Sequence, residues 1–536
     1  MTARIWRLWA ALIGLALGLL ALGPALRPGF TLSYDMVFVP HPVFTRGTFG
    51  LTGTLPRQVP SDAVVTALST VFPGELVQKS ILLAIFVMAS MSAAELVPSA
   101  RPAPRLAAGV LYAWNPFVAE RLLLGQWALL LGYAALPWVV RAAADKGGWG
   151  LVRALVPAAI GGFAAVAVSG LVALIVGTRK WRALGAILLV SLPWMVTGLV
   201  RPGGLSVDTA GVDAFSARAD TPFGRLGSLL LLGGAWNRET VPPGYGAALT
   251  AAAWLAVVVA AIATYALRCR TPWARSLGIA AGTGFAIAAL GVLAPGPLRW
   301  AMDALPPLAV LRDGQQFVAP VAVLVAVGLG VAVDRFRFRE AAIAGIAVPI
   351  VLLPALAWGA SGRLDAVHYP ADWAAAKRII DRDPADGAVV LLPWAAYRSY
   401  EWNSGRRVLD PIPRYLARRV IWNDGVVVGT TRLAAEDPRA RALNGTTFAT
   451  DVLRGAGVRY VVLDAETSTP VPGATRVLTG PDIAVYRIAG PIARVPEKAP
   501  PTWAAVLAWL ASCVGILWSF LASRITVVNH FPSRRS

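Results

Sequence analysis

At 536 residues and 56.4 kDa, with 57% apolar and 15% charged residues, the chain is too apolar for an ordinary soluble protein and reads as a polytopic membrane protein. Two cysteines exclude a disulfide framework or a four-cysteine zinc site, and three histidines leave little for metal chemistry, so no metal and no cofactor is expected. The formal charge of +20 is read as membrane topology, not nucleic-acid binding, because cytoplasmic loops collect Lys and Arg.

A helix needs about 20 apolar residues to cross the hydrocarbon. Runs of that kind are predicted at 9–27, 77–97, 106–120, 123–140, 151–177, 182–200, 246–267, 275–295, 316–334, 341–358 and 502–522. Arg4 and Arg7 ahead of the first run favour an uncleaved signal anchor over a cleaved signal peptide, and either places residue 28 outside. Basic connectors at Arg101/Arg105, Arg141/Lys146, Arg268/Arg270, Arg335/Arg337/Arg339 and the tail with Arg534 and Arg535 are expected on the cytoplasmic side. Strict alternation then forces Arg179, Lys180 and Arg182 outside. The repair is a re-entrant hairpin over 151–177, bending near Ser169-Gly170, which is allowed where other protein covers it. The expectation is about 10 full spans plus that hairpin, with both termini cytoplasmic, in the plasma membrane.

Within the span region, Leu111-Tyr-Ala-Trp-Asn-Pro-Phe-Val-Ala-Glu-Arg-Leu-Leu-Leu-Gly-Gln-Trp127 is too polar for a lipid-facing helix. Pro116 removes a helical hydrogen bond, and Asn115, Glu120, Arg121 and Gln126 cluster near one end; broken helices of this kind line sites. The loop 201–245 nets zero charge, and its Asp208, Asp213 and Asp220 have neither calcium-loop nor helical-ligand spacing, so they read as solvated. Its Asn237-Arg-Glu239 and Pro242-Pro-Gly-Tyr245 stretches suggest a mobile cover.

Three segments are expected: a membrane module over 1–358, a small extracytoplasmic α/β domain over 359–500, and a last helix with a cytoplasmic tail over 501–536. In the middle segment, 373–380 and 448–454 read as helices, and 388–392, 458–464, 475–478 and 483–488 as strands. Trp394, Tyr397, Tyr400 and Trp402 are either sugar-stacking platforms or core and interface aromatics. No GxxxxGK[ST], GxSxG, HExxH or paired CxxC motif occurs.

Asp35 lies about eight residues beyond the first span, in the apolar setting Phe30-Thr-Leu-Ser-Tyr-Asp-Met-Val-Phe-Val-Pro40. Partial desolvation of such a carboxylate raises its pKa and suits it to accept a proton. Taken alone, a loop Asp is usually a turn or cap residue.

A many-span chain with an acid just after its first helix and a soluble domain near its carboxyl end resembles the GT-C superfamily of membrane glycosyltransferases. More narrowly, Asn115-Pro-Phe with Gly125-Gln-Trp127, and Leu311-Arg-Asp-Gly-Gln-Gln-Phe317, look like segments of actinobacterial arabinofuranosyltransferase-like proteins. The resemblance implies sugar transfer from a polyprenyl-phosphate-linked donor to a cell-envelope glycan or glycolipid acceptor, at the outer face and among membrane lipids. It places the catalytic role on Asp35, although this loop carries one acid where an adjacent pair is commoner. Arg312 is the first candidate for the donor phosphate, with Arg121 and Lys79 behind it. Asn115, Glu120, Gln126, Trp394 and Trp402 are candidates for binding sugar or acceptor. A flippase of lipid-linked sugars and a non-catalytic partner of the same fold stand as alternatives.

Overall fold

The structure, a computed structural model, describes residues 3–145, 147–202, 208–464 and 471–528. Lys146 and the tail arginines 534 and 535 therefore lie outside the described residues. Among the described residues, eight helices are long and apolar enough to cross a membrane: Ile5–Leu26, Gly74–Leu96, Trp127–Ala144, Lys180–Leu199, Ala248–Arg268, Ala274–Leu293, Pro306–Val333 and Thr502–Ala522. A ninth is possible if Arg339–Leu352 and Pro354–Gly362, bent by 62°, form one span. The chain is thus a polytopic helical membrane protein. Its outer helices turn apolar side chains outward, as the last one does with Trp503, Leu507, Leu510, Val514 and Leu517, each more than half exposed. Lipid tails take the place of a core for such a face.

The 151–177 run divides into Trp149–Gly161 and Phe163–Val176. The bend is at Gly162, not at Ser169-Gly170, which sits inside the second helix. Gly162 has φ 75° and ψ −155°, a conformation open to glycine, whereas a glycine with helical angles inside an apolar helix is no break. At 1.5 Å per residue each arm is only about 20 Å long. The tip lies beside the Val59 carbonyl, and the base beside Arg182, so both arms start and finish at the same end of the bundle.

Basic connectors gather at that same end. Arg7 and Arg141 both approach Glu95, at 3.0 and 4.0 Å. Arg101 approaches Asp334, and Arg105 lies 4.4 Å over the Trp6 ring.

The opposite end carries the α/β region. Its strands, in chain order, are β1 (Phe30–Thr31), β2 (Ala366–Val367), β3 (Ala388–Leu392), β4 (Tyr397–Ser399), β5 (Arg407–Leu409), β6 (Val420–Ile421), β7 (Val426–Val428), β8 (Thr431–Leu433), β9 (Val458–Asp464), β10 (Ala474–Thr479) and β11 (Ile483–Ile488). The main sheet runs β10-β11-β9-β3-β6, antiparallel through β10, β11 and β9 and parallel from β9 through β3 to β6. The period of two along β9 sends Tyr460 and Val462 into the core shared with the helical bundle, and Val461 and Leu463 into a second core on the other face. The helix Ala371–Arg382 buries Trp373, Ala376 and Ile380 on the shared side.

Two short pairings fix this region to the first loop. β1 pairs antiparallel with β2, and Tyr34 bridges to Val408 in the β4–β5 hairpin. Tyr34 donates its backbone N–H to the Arg407 carbonyl at 2.7 Å and accepts from the Leu409 N–H at 2.8 Å.

Candidate active site

Asp35 is placed by the broken helix. Asn115 caps Pro116–Leu123, its side chain accepting from the Val118 N–H, and proline at the first helical position is pre-shaped for the turn. The helix ends at Gly125, φ 74°, where a Cβ would collide with the Met36 nitrogen and the Ser33 carbonyl. Glycine there lets the first loop lie directly on the helix end. Ser33 Oγ donates to the Leu123 carbonyl at 2.8 Å, and the Asp35 N–H donates to the Leu124 carbonyl at 3.1 Å.

The Asp35 carboxylate accepts a 2.6 Å hydrogen bond from the Tyr397 hydroxyl, across 362 residues of chain. Arg414, Asp313 and Arg57 stand within electrostatic range. Burial pushes the Asp35 carboxyl above its ordinary value; the Tyr397 hydroxyl and Arg414 draw it down, and Asp313 pushes it up again.

Around this carboxylate lies an uneven set of cations. Arg414 pairs with Asp62 at 2.9 Å, and Arg57, half-exposed, pairs with Glu436. Arg312 lies 5.2 Å over the Phe215 ring, with Arg57, Glu436, Asp313 and Asp208 in electrostatic range. Among the described residues no carboxylate lies within ion-pair distance of Arg312. Arg312 and Asp35 therefore share Arg57 and Asp313 as neighbours. Two guanidinium groups near one another with one unpaired is an arrangement that an anion completes. Among the described residues no group of three or more His, Cys, Asp or Glu side chains gathers to hold a metal.

The other sequence candidates fall elsewhere. Asn115 is fully buried, and its amide donates to the Leu111 and Tyr112 carbonyls and to the Tyr133 hydroxyl, each at 2.9 Å. Nothing remains on it for a sugar. Arg121, also buried, donates to Gln126 at 2.9 Å and approaches Asp313 at 3.7 Å, which ties both to the edge of the Asp35 cluster. Glu120 accepts from the Ala235 N–H at 3.0 Å and hydrogen-bonds Asp220. Asp220 is not the solvated loop acid its sequence context suggests: it is half-buried, accepts from the Gly234 N–H at 2.6 Å, and burial raises its pKa to about 6.

Lys79 donates to the Arg27 carbonyl and sits 3.9 Å from Glu75, a helix-end role away from Asp35. Trp394 packs on Phe448 in the second core, and Trp402 stacks on Tyr400 beside Tyr369 and Trp373. Both serve as core and interface aromatics. The stretch expected to be a mobile cover is held at Glu239, which accepts from the Tyr34 hydroxyl and lies 3.7 Å from Arg407. Arg57, Arg414 and the carboxylate contact of Tyr397 carry no local sequence signal; only their convergence in space marks them.

No protein-family model and no curated protein matches the chain in sequence. Two solved structures of the arabinofuranosyltransferase AftD from Mycobacteria share its fold. One aligns with a TM-score of 0.60 over 91% of this chain and 40% of that one, at 18% identity. A mutant form aligns at 0.55 over 92% and 42%, also at 18% identity. The chain is arabinofuranosyltransferase-like in fold. It spans about 40% of the length of the structures it matches. The likeness to arabinofuranosyltransferases read from the first-loop acid and the two short motifs thus holds at the level of the fold, and those motifs are the segments that seat the first loop and carry Arg312.

Proposed function

We propose that the protein is a membrane glycosyltransferase that moves a sugar, arabinofuranose or mannose, from a polyprenyl-phosphate donor to a cell-envelope glycan or glycolipid. The observation that carries this reading is the half-buried Asp35, held by Tyr397 and sharing Arg57 and Asp313 with an Arg312 that has no carboxylate partner among the described residues. Asp35 takes the proton of the acceptor hydroxyl as its oxygen attacks the anomeric carbon in line. The C–O bond to phosphate breaks, the configuration inverts, and the leaving phosphate's charge is met by Arg312 and Arg57. Tyr397 orients the Asp35 carboxylate and does not itself transfer a proton.

Topology supports the same reading. Counting the Pro102–Leu123 pair and the bent Arg339–Gly362 pair as spans gives the ten crossings plus hairpin expected from the sequence. The basic helix ends then face the cytoplasm, and the α/β region with Asp35 lies outside.

The test uses the purified full chain in detergent with polyprenyl-phosphate sugars and a short acceptor. Asp35→Asn should lower transfer by roughly 10²–10⁴-fold, the usual contribution of a positioned general base. Unchanged transfer would remove Asp35 from the mechanism. Arg312→Ala should weaken donor binding at least tenfold, in line with the roughly 1.5–3 kcal/mol of a charge-assisted hydrogen bond. Movement of donor between leaflets without product would favour a flippase, and neither activity a non-catalytic partner.

A further inference from the structure

At the end of the bundle remote from Asp35, where Gly74–Leu96 and Ala248–Arg268 finish and Arg339–Leu352 begins, there is a cavity of about 440 Å³. It is lined by Val97, Pro98, Ser99, Val331 and Asp334 together with Arg268, Arg335 and Arg337. Its one acid is already engaged. Asp334 accepts from Ser99 Oγ at 2.8 Å, and Arg101, outside the lining, lies 3.7 Å from it and donates to its carbonyl at 2.7 Å. Among the described residues none of the three lining arginines has a carboxylate within ion-pair distance. Three guanidinium groups thus border one cavity with no negative charge left to balance them.

Apolar side chains adjacent in sequence to these arginines are exposed: Phe336 36%, Phe338 74% and Leu267 65%. Guanidinium forks match phosphate oxygens, and exposed aromatic and aliphatic side chains at the ends of spanning helices match the glycerol and upper acyl region of a lipid. Basic pockets between helix ends collect anionic head groups for this reason. A free phosphate would use the arginines and leave these apolar side chains unused. We propose that this cavity binds the phosphate head group of an anionic phospholipid, Arg268, Arg335 and Arg337 holding the phosphate and Phe336, Phe338 and Leu267 lying along its acyl chains. The site is separate from the Asp35 crevice and stands whether or not sugar transfer is the protein's reaction.

The full chain, purified in neutral detergent, would be given phosphatidylglycerol, phosphatidylcholine or inorganic phosphate, and retained ligand counted by native mass spectrometry. One phosphatidylglycerol should be retained in preference to phosphatidylcholine. Its apparent affinity should fall at least tenfold in Arg335→Gln/Arg337→Gln and stay unchanged in Arg339→Gln, a neighbouring exposed arginine outside the cavity. Equal retention by the double variant, or equal binding of phosphatidylcholine, overturns the proposal. Full displacement of the lipid by millimolar inorganic phosphate overturns the lipid assignment and leaves a plain anion site. Should the double variant not fold, a photoactivatable phosphatidylglycerol on the unaltered chain decides the matter: labelling at 97–101, 267–270 or 331–339 supports the site, and labelling confined elsewhere rejects it.

Discussion

Two polar clusters occupy the end of the helical bundle that meets the α/β region, and they treat hydrogen-bonding capacity in opposite ways. Around Asn115 every side-chain donor and acceptor is matched within the protein, by Val118, Leu111, Tyr112 and Tyr133, while Glu120 accepts from the Ala235 N–H and hydrogen-bonds Asp220. Around Asp35 the matching stops short: among the described residues Arg312 has no carboxylate within ion-pair distance. Buried polar groups are normally satisfied, so the complete cluster reads as framework and the incomplete one as a place for something else to bind. The broken helix joins the two: its start is locked by the first cluster, and its end supports the loop that carries the second.

Substitutions can break this contrast or sharpen it. The largest effect is expected from Asp35→Asn, with transfer falling as given above while the melting temperature stays close to that of the unaltered protein. Asn115→Ala should do the reverse. Losing the cap and stranding buried partners should cost roughly 2–4 kcal/mol of stability, with specific activity per folded molecule little changed. Thermal melting in detergent beside a transfer assay separates them, and a reversal of the two outcomes would show that the clusters have been assigned the wrong way round.

Asp220→Asn tests the framework more finely. Asp220, raised to about 6 by burial, contributes stability that is complete below its ordinary 3.8 and is lost as pH rises through about 6. An asparagine at position 220 still accepts from the Gly234 N–H and does not titrate. Melting temperature should therefore vary less between about pH 4 and 8 in the variant than in the unaltered chain. An unchanged pH slope would take the dependence away from Asp220. The smallest effect is expected from Tyr397→Phe. Its hydroxyl holds the Asp35 pKa down, so its loss should move the acid limb of the activity profile to higher pH and reduce the maximal rate only modestly. An unmoved acid limb would deny Tyr397 its positioning role.

How far the sequence carries can be judged from the same elements. The spanning helices are apparent because lipid demands long apolar runs, and the strands at 388–392, 458–464 and 483–488 because β-branched residues gather between glycine and polar breaks. Asp35 stands out by its place after the first helix. The hairpin tip does not, since Ser169-Gly170 and Gly162 look alike until backbone angles are known. Asp220 was misread because a polar loop does not announce which of its acids another segment will cover. Arg57, Arg414 and Tyr397 join Asp35 through tertiary contact alone, and no periodicity spans such separations.

The stitching of the first loop to the β4–β5 hairpin also bears on how the protein is made. During synthesis Asp35 emerges hundreds of residues before Tyr397, and until the hairpin has been built and has returned to the first helix, the carboxylate lacks the hydroxyl that steadies it. A chain interrupted between the membrane helices and the hairpin would hold Asp35, Arg57 and Arg312 and yet lack the Tyr397 contact, so the proposed centre is complete only once the hairpin has been made and docked.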